Sequence, residues 1–533
     1  MNMGELLSRN ELPATRVGEI VNDVNRVAPT ELRDLTGPLG NNTAKKLRRR
    51  FLKKSTWMPD YIAEIRTWDP KTQKVVHGEK VPMQLIHEVV AVLLKHGFRD
   101  KLLAKDRMDP LTLEHLRHCE LEAGCDLLGI GLWGDGAPTQ WDRNETIDVL
   151  SLSLPGLEVE YRNLRIPLIV LPHSRVCSET WEDVFSIIKW SLTILATGRW
   201  PTCRHDGSAW EQSDKCRRTA RPFLRGALVE VRQDWKFAAE VFGFPAHNTL
   251  EGCCWACKCT PAQVRQVDSG ASWRSEPLSH ADCLLRILRS RRTVNPLLTA
   301  PWVTSRIFRM DWLHVADLGV TADFIGNFLH EVLELFPGGN KKDRCANLYV
   351  EVQAYYDAEG ISDRFDCLLP TFFEPKDKPY KLRGSAANIR ALVPFVWQLA
   401  QEMLDISVPK HAAMRHAAFH LNEVYSALSA DHPDPCATMR EHGIKFAIQY
   451  VALHDNLNAA DDKAWRIKPK MHLFLHITSD NSMPRLTWTY RDEDFGGSVA
   501  RMSRRRGGLL KCGSTSFSCL SRFRIANPCI RIR

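Results

Sequence analysis

Two short apolar runs, each closed by an aspartate, constrain this chain more than any other feature. Leu127-Leu128-Gly129-Ile130-Gly131-Leu132-Trp133-Gly134 stops at Asp135, and Ala227-Leu228-Val229-Glu230-Val231-Arg232-Gln233 stops at Asp234. Apolar runs this short, bounded by turn residues, read as strands followed by turns. Thr146 to Leu154 and Arg165 to Leu171 read the same way, the second ending at Pro172. Ser178, an N-cap-like residue followed by early acids, opens a helix that runs to Gly198, a plausible C-cap. A short helix after Asp234 ends near Gly243, and Phe308 to His314 is a fifth strand leading into a helix from Thr321 to Leu335. Three strands, a helix, a strand and a helix suit an α/β mixed sheet with helical cover.

Around that sheet the pattern is helical. Residues 80 to 120 read as helices, because Met83 to Leu94 places apolar residues at helical spacing, and residues 340 to 455 read as helical almost throughout. The expected organisation is a basic, weakly ordered segment over 1–56, a helical region over 57–120, and the first part of the sheet domain over 121–320. A CxxC loop at 247–260, a helical insertion over 321–465, a closing segment over 466–510 and a basic tail over 511–533 complete it. An insertion between the fifth strand and a late carboxylate brings distant sequence into one site without disturbing the sheet.

Composition excludes some classes. A hydrophobic share of 44% with 25% charged residues belongs to a folded soluble chain. No apolar run reaches the ~18 residues of a spanning helix, and no hydrophobic leader opens the chain, so neither a membrane nor a secreted protein is expected. Sixteen cysteines without an export signal read as reduced thiols plus one metal site rather than as disulfides. The net charge of +9 is concentrated. Lys45, Lys46, Arg48, Arg49, Arg50, Lys53 and Lys54 occur with no acid between Asn41 and Lys54, and no acid follows Asp494 while Arg501, Arg504, Arg505, Arg506 and further basic residues do. Two such blocks favour a polyanionic partner; the plainer alternative is a pair of solvated segments.

Four constellations carry chemistry. Asp135 at a strand end beside glycines suits a metal ligand or an ordinary turn, and Asp234 suits a metal ligand or a helix N-cap. The two gain weight together, because adjacent strands place their end residues side by side. Cys254 and Cys257 have the spacing of half a zinc site, with Cys253, Cys259, His247, His314, His472 and His476 as candidates for the rest. Asp311-Trp312-Leu313-His314 and Lys470-Met471-His472-Leu473-Phe474-Leu475-His476 are the most site-like histidine settings, against the alternative of hydrogen-bonded core histidines. His314 and His472 are the histidines assigned to the cysteines. His411, His416 and His420 line a helix without evident chemistry. Glu493 follows Trp488 and Tyr490 and precedes Gly496, Gly497 and the arginines; Asp492 or Asp494 is the alternative ligand, and an exposed acidic triplet is the alternative reading.

In this order the chain resembles the DDE/D transposases of cut-and-paste DNA transposons, most nearly the CACTA-type group. The likeness rests on Asp135 ending an early strand, Asp234 followed by Cys254-x-x-Cys257, and Asp311-x-x-His314 running on to Gly319. It continues in the lysine–histidine stretch around Lys470 and His472 and in Trp488-x-Tyr490-x-x-Glu493-x-x-x-Gly497. It covers roughly residues 120 to 510; Asp494 stands where that group usually has an arginine after the glutamate. The resemblance implies a ribonuclease H-like sheet with a helical insertion and a catalytic triad of Asp135, Asp234 and Glu493. It also implies two Mg²⁺ or Mn²⁺ ions clamping the attacking and leaving oxygens of a phosphodiester, and a structural Zn²⁺ at a small zinc-knuckle-like CxxC loop. Transposon ends and target DNA are the expected partners, with self-association, a nuclear location and the two basic blocks as DNA contacts. A transposase-derived DNA-binding protein without activity and a zinc-stabilised interaction protein remain the alternatives.

Overall fold

The computed structural model describes residues 13–27, 43–139, 145–157, 165–219, 221, 224–246, 252–291, 293–376, 378–455, 463–504 and 511–527. β1 (Tyr61–Asp69) and β2 (Lys74–Met83) form an antiparallel hairpin. β3 (Leu128–Pro138), β4 (Thr146–Ser153), β5 (Ile166–Pro172), β6 (Gly226–Gln233) and β7 (Phe308–Met310) form one mixed sheet in the order β5-β4-β3-β6-β7. β3 runs antiparallel to β4 and parallel to β6, and β7 is parallel to β6. β4, β5 and β6 are buried along nearly their whole length, which is why their sequences are continuous rather than alternating in hydrophobicity.

The two faces of the sheet differ. Ile130, Leu132, Leu150, Leu152 and Val231 pack with Trp181, Val184, Phe185 and Ile188 of the helix Ser178–Thr197. That helix ends on Gly198 in the left-handed conformation, as expected, but its N-cap is Cys177 rather than Ser178: the Cys177 N–H donates to the Thr180 hydroxyl at 3.0 Å. On the opposite face, Gly131 and Trp133 of β3 stand beside Glu230 and Arg232 of β6. The helix Tyr490–Arg504 lies over this polar face, with Gly496 against Trp133, where a Cβ would come within 2.8 Å of the indole. Glycine is therefore needed for the helix to approach the sheet.

The fifth strand is shorter than expected. It ends at Met310 because the Asp311 carboxylate accepts the N–H groups of Leu313 at 3.3 Å and His314 at 3.1 Å, turning the chain into a π-helix, Leu313–Thr321. The helical region follows, its helices Ala322–Val332, Lys341–Ala358, Val393–Met403, Pro409–Ser426 and Pro435–Asp455 sharing a core with Phe324, Phe446, Tyr450 and Trp465. Leu473 and Phe474 of the helix Pro469–Ser479 belong to the same core, so the division expected at residue 465 is not a packing boundary.

The flanks also depart from expectation. β1 and β2 occupy a stretch read as helical; β1 alternates buried Tyr61, Ala63, Ile65 and Thr67 with more exposed neighbours, a period of two hidden by its charged outer face. The described residues of 1–56 include the helices Ala14–Val27 and Thr43–Lys54, whose Val17, Val21, Leu47 and Phe51 pack with Ile525. The segment read as a basic tail contains the helix Cys512–Ala526, with Leu520 buried and Arg524 paired to Asp60 at 2.5 Å. No helix among the described residues is long and apolar enough to cross a membrane.

Candidate functional site

Two clusters of metal-ligating side chains stand out, and the sheet places the first. The register sets Gly134 beside Gln233, so Asp135 and Asp234 follow one another across the parallel pair β3–β6. Asp234 also caps the helix Trp235–Phe242, its Oδ1 accepting the Phe237 N–H at 2.6 Å, so the carboxylate is held at the strand–helix junction. Glu493, one turn into the helix over the polar face, brings its carboxylate to Asp135. One ligand atom each from Asp135, His314 and Glu493 lies within 4.8 Å of the others.

This group is crowded with negative charge. Burial, then the charges of Glu493 and Asp234, hold Asp135 well above the usual carboxylate range. Burial with the neighbouring charges of Asp311, Asp234 and Asp492 pushes Glu493 up to about 7, against a hydrogen bond to Asp135 that lowers it. Two buried carboxyl groups in hydrogen-bond contact hold a proton between them, and a cation is the alternative to that proton. Glu493 Oε1 is buried without a hydrogen-bond partner among the described residues, so it is an acceptor that a cation would satisfy.

Other residues fix the group in place. His314 Nδ1 lies 2.7 Å from Asp311 Oδ2, leaving Nε2 as the nitrogen free to face the carboxylates. Burial acts to lower the His314 pKa, but Asp311, Asp135 and Asp234 outweigh it and raise it. Asp311 Oδ1 also accepts the Thr489 N–H at 3.1 Å, joining β7 to the start of the Glu493 helix. Asp492 is fully buried between Arg165 and Arg232, the latter at 3.0 Å, so of the acidic triplet one residue anchors, Glu493 faces the site and Asp494 is exposed. Asp317 of the π-helix accepts from Trp312 Nε1 at 3.1 Å, the Tyr425 hydroxyl at 2.5 Å and the Tyr490 hydroxyl, tying the helical region to the same helix. Lys470 Nζ donates to the His314 carbonyl at 2.7 Å. Burial and the Lys381 charge pull the Lys470 pKa down to about 8.

The second cluster is Cys254, Cys257, His472 and His476, all buried. The sulfurs are 3.4 Å apart and the two Nε2 atoms 3.2 Å apart, and the four mixed sulfur–nitrogen separations run from 3.3 to 3.7 Å. A tetrahedral ion with metal–sulfur bonds of about 2.3 Å and metal–nitrogen bonds of about 2.0 Å needs edges of about 3.3–3.8 Å. The four donors therefore already outline a tetrahedron of the right size and could hold a metal ion. The Cys257 and Cys259 N–H groups point at the sulfurs of Cys254 and Cys257, each at 3.4 Å, which favours thiolates. Burial works against ionisation of Cys254, but hydrogen bonds with Cys253 and Cys257 and the charge of His476 hold it well below the ordinary thiol value. Trp273 packs edge-on to His472 with ring centres 4.5 Å apart.

The sequence reading divided the histidines wrongly: His314 belongs with the carboxylates, and His476 takes the place given to it beside the cysteines. His472 and His476 are one helical turn apart, a signal that selects them as a pair but does not say what they meet. Asp311, Asp317 and Lys470 were missed as site-building residues, although Asp311 and His314 share one motif. Of the expected nucleic-acid contacts, Lys45, Lys46, Arg48, Arg49 and Arg50 lie on the helix Thr43–Lys54, with Lys46 and Arg49 exposed; Arg501 is exposed on the Glu493 helix, which ends at Arg504. Arg505, Arg506 and the zinc candidate His247 lie outside the described residues. Comparison with protein-family models and with curated proteins finds no match to this chain.

Proposed function

We propose that this chain is a DDE-type DNA strand transferase, cutting and joining phosphodiesters on a ribonuclease H-like core that resembles CACTA-type transposases. The observation that carries the reading is the meeting of Asp135, His314 and Glu493 within 4.8 Å at the end of a parallel strand pair whose other member ends at Asp234. Asp135, Asp234, Glu493 and His314 Nε2 would hold the divalent cations. Bound there, the cations supply positive charge to the attacking and leaving oxygens of the phosphodiester. An imidazole among the carboxylates suits Mn²⁺ as well as Mg²⁺.

The protein's own groups do the positioning. Asp311 orients His314, Asp492 fixes the helix that presents Glu493, and Asp234 is held by its capping bond. Cys254, Cys257, His472 and His476 would hold a structural Zn²⁺. The residues joined by that site are as much as 222 positions apart, so an ion there would clip the loop ahead of β7 to the helix Pro469–Ser479, across the whole helical region. On the chain-entropy model used for cross-links, closing a loop of that length contributes about 5 kcal/mol.

The test is cleavage of DNA carrying the ends of the encoding element, with Mn²⁺ or Mg²⁺. Asp135→Asn is expected to abolish strand cleavage while leaving DNA affinity within about twofold, since phosphate contacts rather than the metal site dominate affinity. Undiminished cleavage by that variant refutes the assignment. Absence of cleavage by the unaltered chain, with DNA still bound, leaves a transposase-derived binding protein.

A further inference from the structure

A cavity of about 550 Å³ opens on the same polar sheet face. Its wall contains Arg107, Arg165, Arg232, Arg485 and Arg491, together with Trp488 and the apolar Leu154, Leu428 and Leu486. Asp106 and Glu230 also line it, and Asp492 is buried between Arg165 and Arg232. Five guanidinium groups thus face three carboxylates. Arg232, only 5% exposed, spends its terminal nitrogens on Asp492 at 3.0 Å, Ser153 at 2.8 Å and Glu230 at 3.1 Å, yet its Nε is buried without a hydrogen-bond partner among the described residues. The same is true of Arg485 Nε. Buried guanidinium donors without partners are costly unless an acceptor reaches them.

The lining of the cavity says which acceptor. Arg232 of β6 and Arg165 flank the buried Asp492 at the start of the Glu493 helix, and Arg491 stands beside it. Several arginines along one wall are the pattern of a track for successive phosphates of one strand. The enclosure is too small for a duplex and fits nucleotides of a single strand. Trp488 adds an aromatic wall against which a base can pack, which no simple anion needs.

We infer that this cavity binds a segment of single-stranded nucleic acid, with Arg107 and Arg485 on phosphate oxygens and Trp488 against a base. The choice of ligand rests on the proposed strand-transfer reaction; the cavity and its charge do not.

The experiment is fluorescence anisotropy of a labelled single-stranded DNA decamer on the full chain in Ca²⁺ buffer, where binding is read without cleavage. Arg485→Ala and Arg107→Ala are each expected to raise Kd about tenfold and to flatten the salt dependence by about 0.7 in log–log slope, the change expected for one lost phosphate contact on a single strand. Arg485→Lys should recover part of the affinity, and Lys71→Ala, at the exposed turn between β1 and β2, should change it less than twofold. A decamer carrying 5-iodouracil should photocrosslink to the peptide containing Trp488, and the crosslink should be lost in Arg485→Ala, with thermal melts showing that the variant remains folded. No single-strand binding by the unaltered chain, or affinity unmoved in both alanine variants, overturns the inference. Pocket-dependent binding without metal-dependent cleavage leaves the cavity standing and removes the catalytic reading; cleavage that is indifferent to both arginines does the reverse.

Discussion

The Cys254–Cys257–His472–His476 cluster and the Asp135–His314–Glu493 cluster differ in nearly every property that matters to a cation. The first is soft, buried and complete: four donors stand at tetrahedral separations, with N–H groups aimed at the sulfurs. The second is hard, less deeply buried and incomplete: three donors, with Asp234 ending the neighbouring strand. Closed sets of four hold structural ions, and sets that keep positions free are the ones that act on substrates. On the proposed reading, the contrast separates holding the fold from doing chemistry. The soft cluster joins the loop ahead of β7 to the helix Pro469–Ser479, and the hard one lies at the strand ends of the sheet.

That comparison breaks most visibly at the sulfurs. Cys257→Ser, or zinc removal with a strong chelator, should cost the helical region its cooperative folding and lower Tm by more than about 10 °C, because a structural zinc site contributes about 10 kcal/mol or more of folding free energy in small domains. Thermal melts followed by circular dichroism check this; a melt unchanged by the loss of the ion would show that the tetrahedron does not hold the fold. A smaller loss belongs to the sheet side. Asp492→Ala leaves Arg165 and Arg232 buried without their carboxylate, and should cost about 3–5 kcal/mol in denaturant unfolding. Asp135→Asn, in contrast, removes a crowded charge, so stability should be equal or higher while cleavage disappears.

The smallest effect sharpens the contrast through pH. Glu493 has a folded pKa of about 7 against an ordinary value of 4.5, raised by burial and by Asp311, Asp234 and Asp492. An acid raised on folding favours the protonated folded form. Its contribution to stability is therefore complete below pH 4.5 and is lost as pH rises towards 7. The metal-free protein should melt at progressively lower temperature across that window, and Mn²⁺ should reverse the loss at the upper end, where the carboxylates are free to bind it. Glu493→Gln should flatten the profile, whereas Cys254→Ser should leave its slope in place; a flat profile in the unaltered, metal-free chain would mean that the carboxylates do not share a proton.

Much of this was legible beforehand, and for a local reason. Asp135 and Asp234 close apolar runs, and a run's length and its terminating residues are properties of adjacent sequence. The strands β3 to β6, the helix ending at Gly198 and the helical block after β7 came from the same kind of signal. The failures share a cause as well. The β1–β2 hairpin was hidden because its outer face is charged, and the last helix because its arginines were counted without noticing its apolar residues, Cys519, Leu520, Phe523 and Ile525, which are buried. His314 was given to the cysteines because nothing local distinguishes one histidine beside a turn from another.

What the sequence determined by itself was the kind of parts available: strand-end carboxylates, a cysteine pair, histidines one helical turn apart, and clustered arginines. Which parts meet was decided only by the tertiary structure. Cys254 and His472 are separated by 218 residues, and Asp135 reaches Glu493 only because a glycine lets a late helix settle on Trp133. Short-range pattern follows from backbone geometry and side-chain shape, which act over a few residues. The assembly of a metal site depends on long-range packing and on which buried charges can be neutralised together, and no stretch of adjacent residues carries that information.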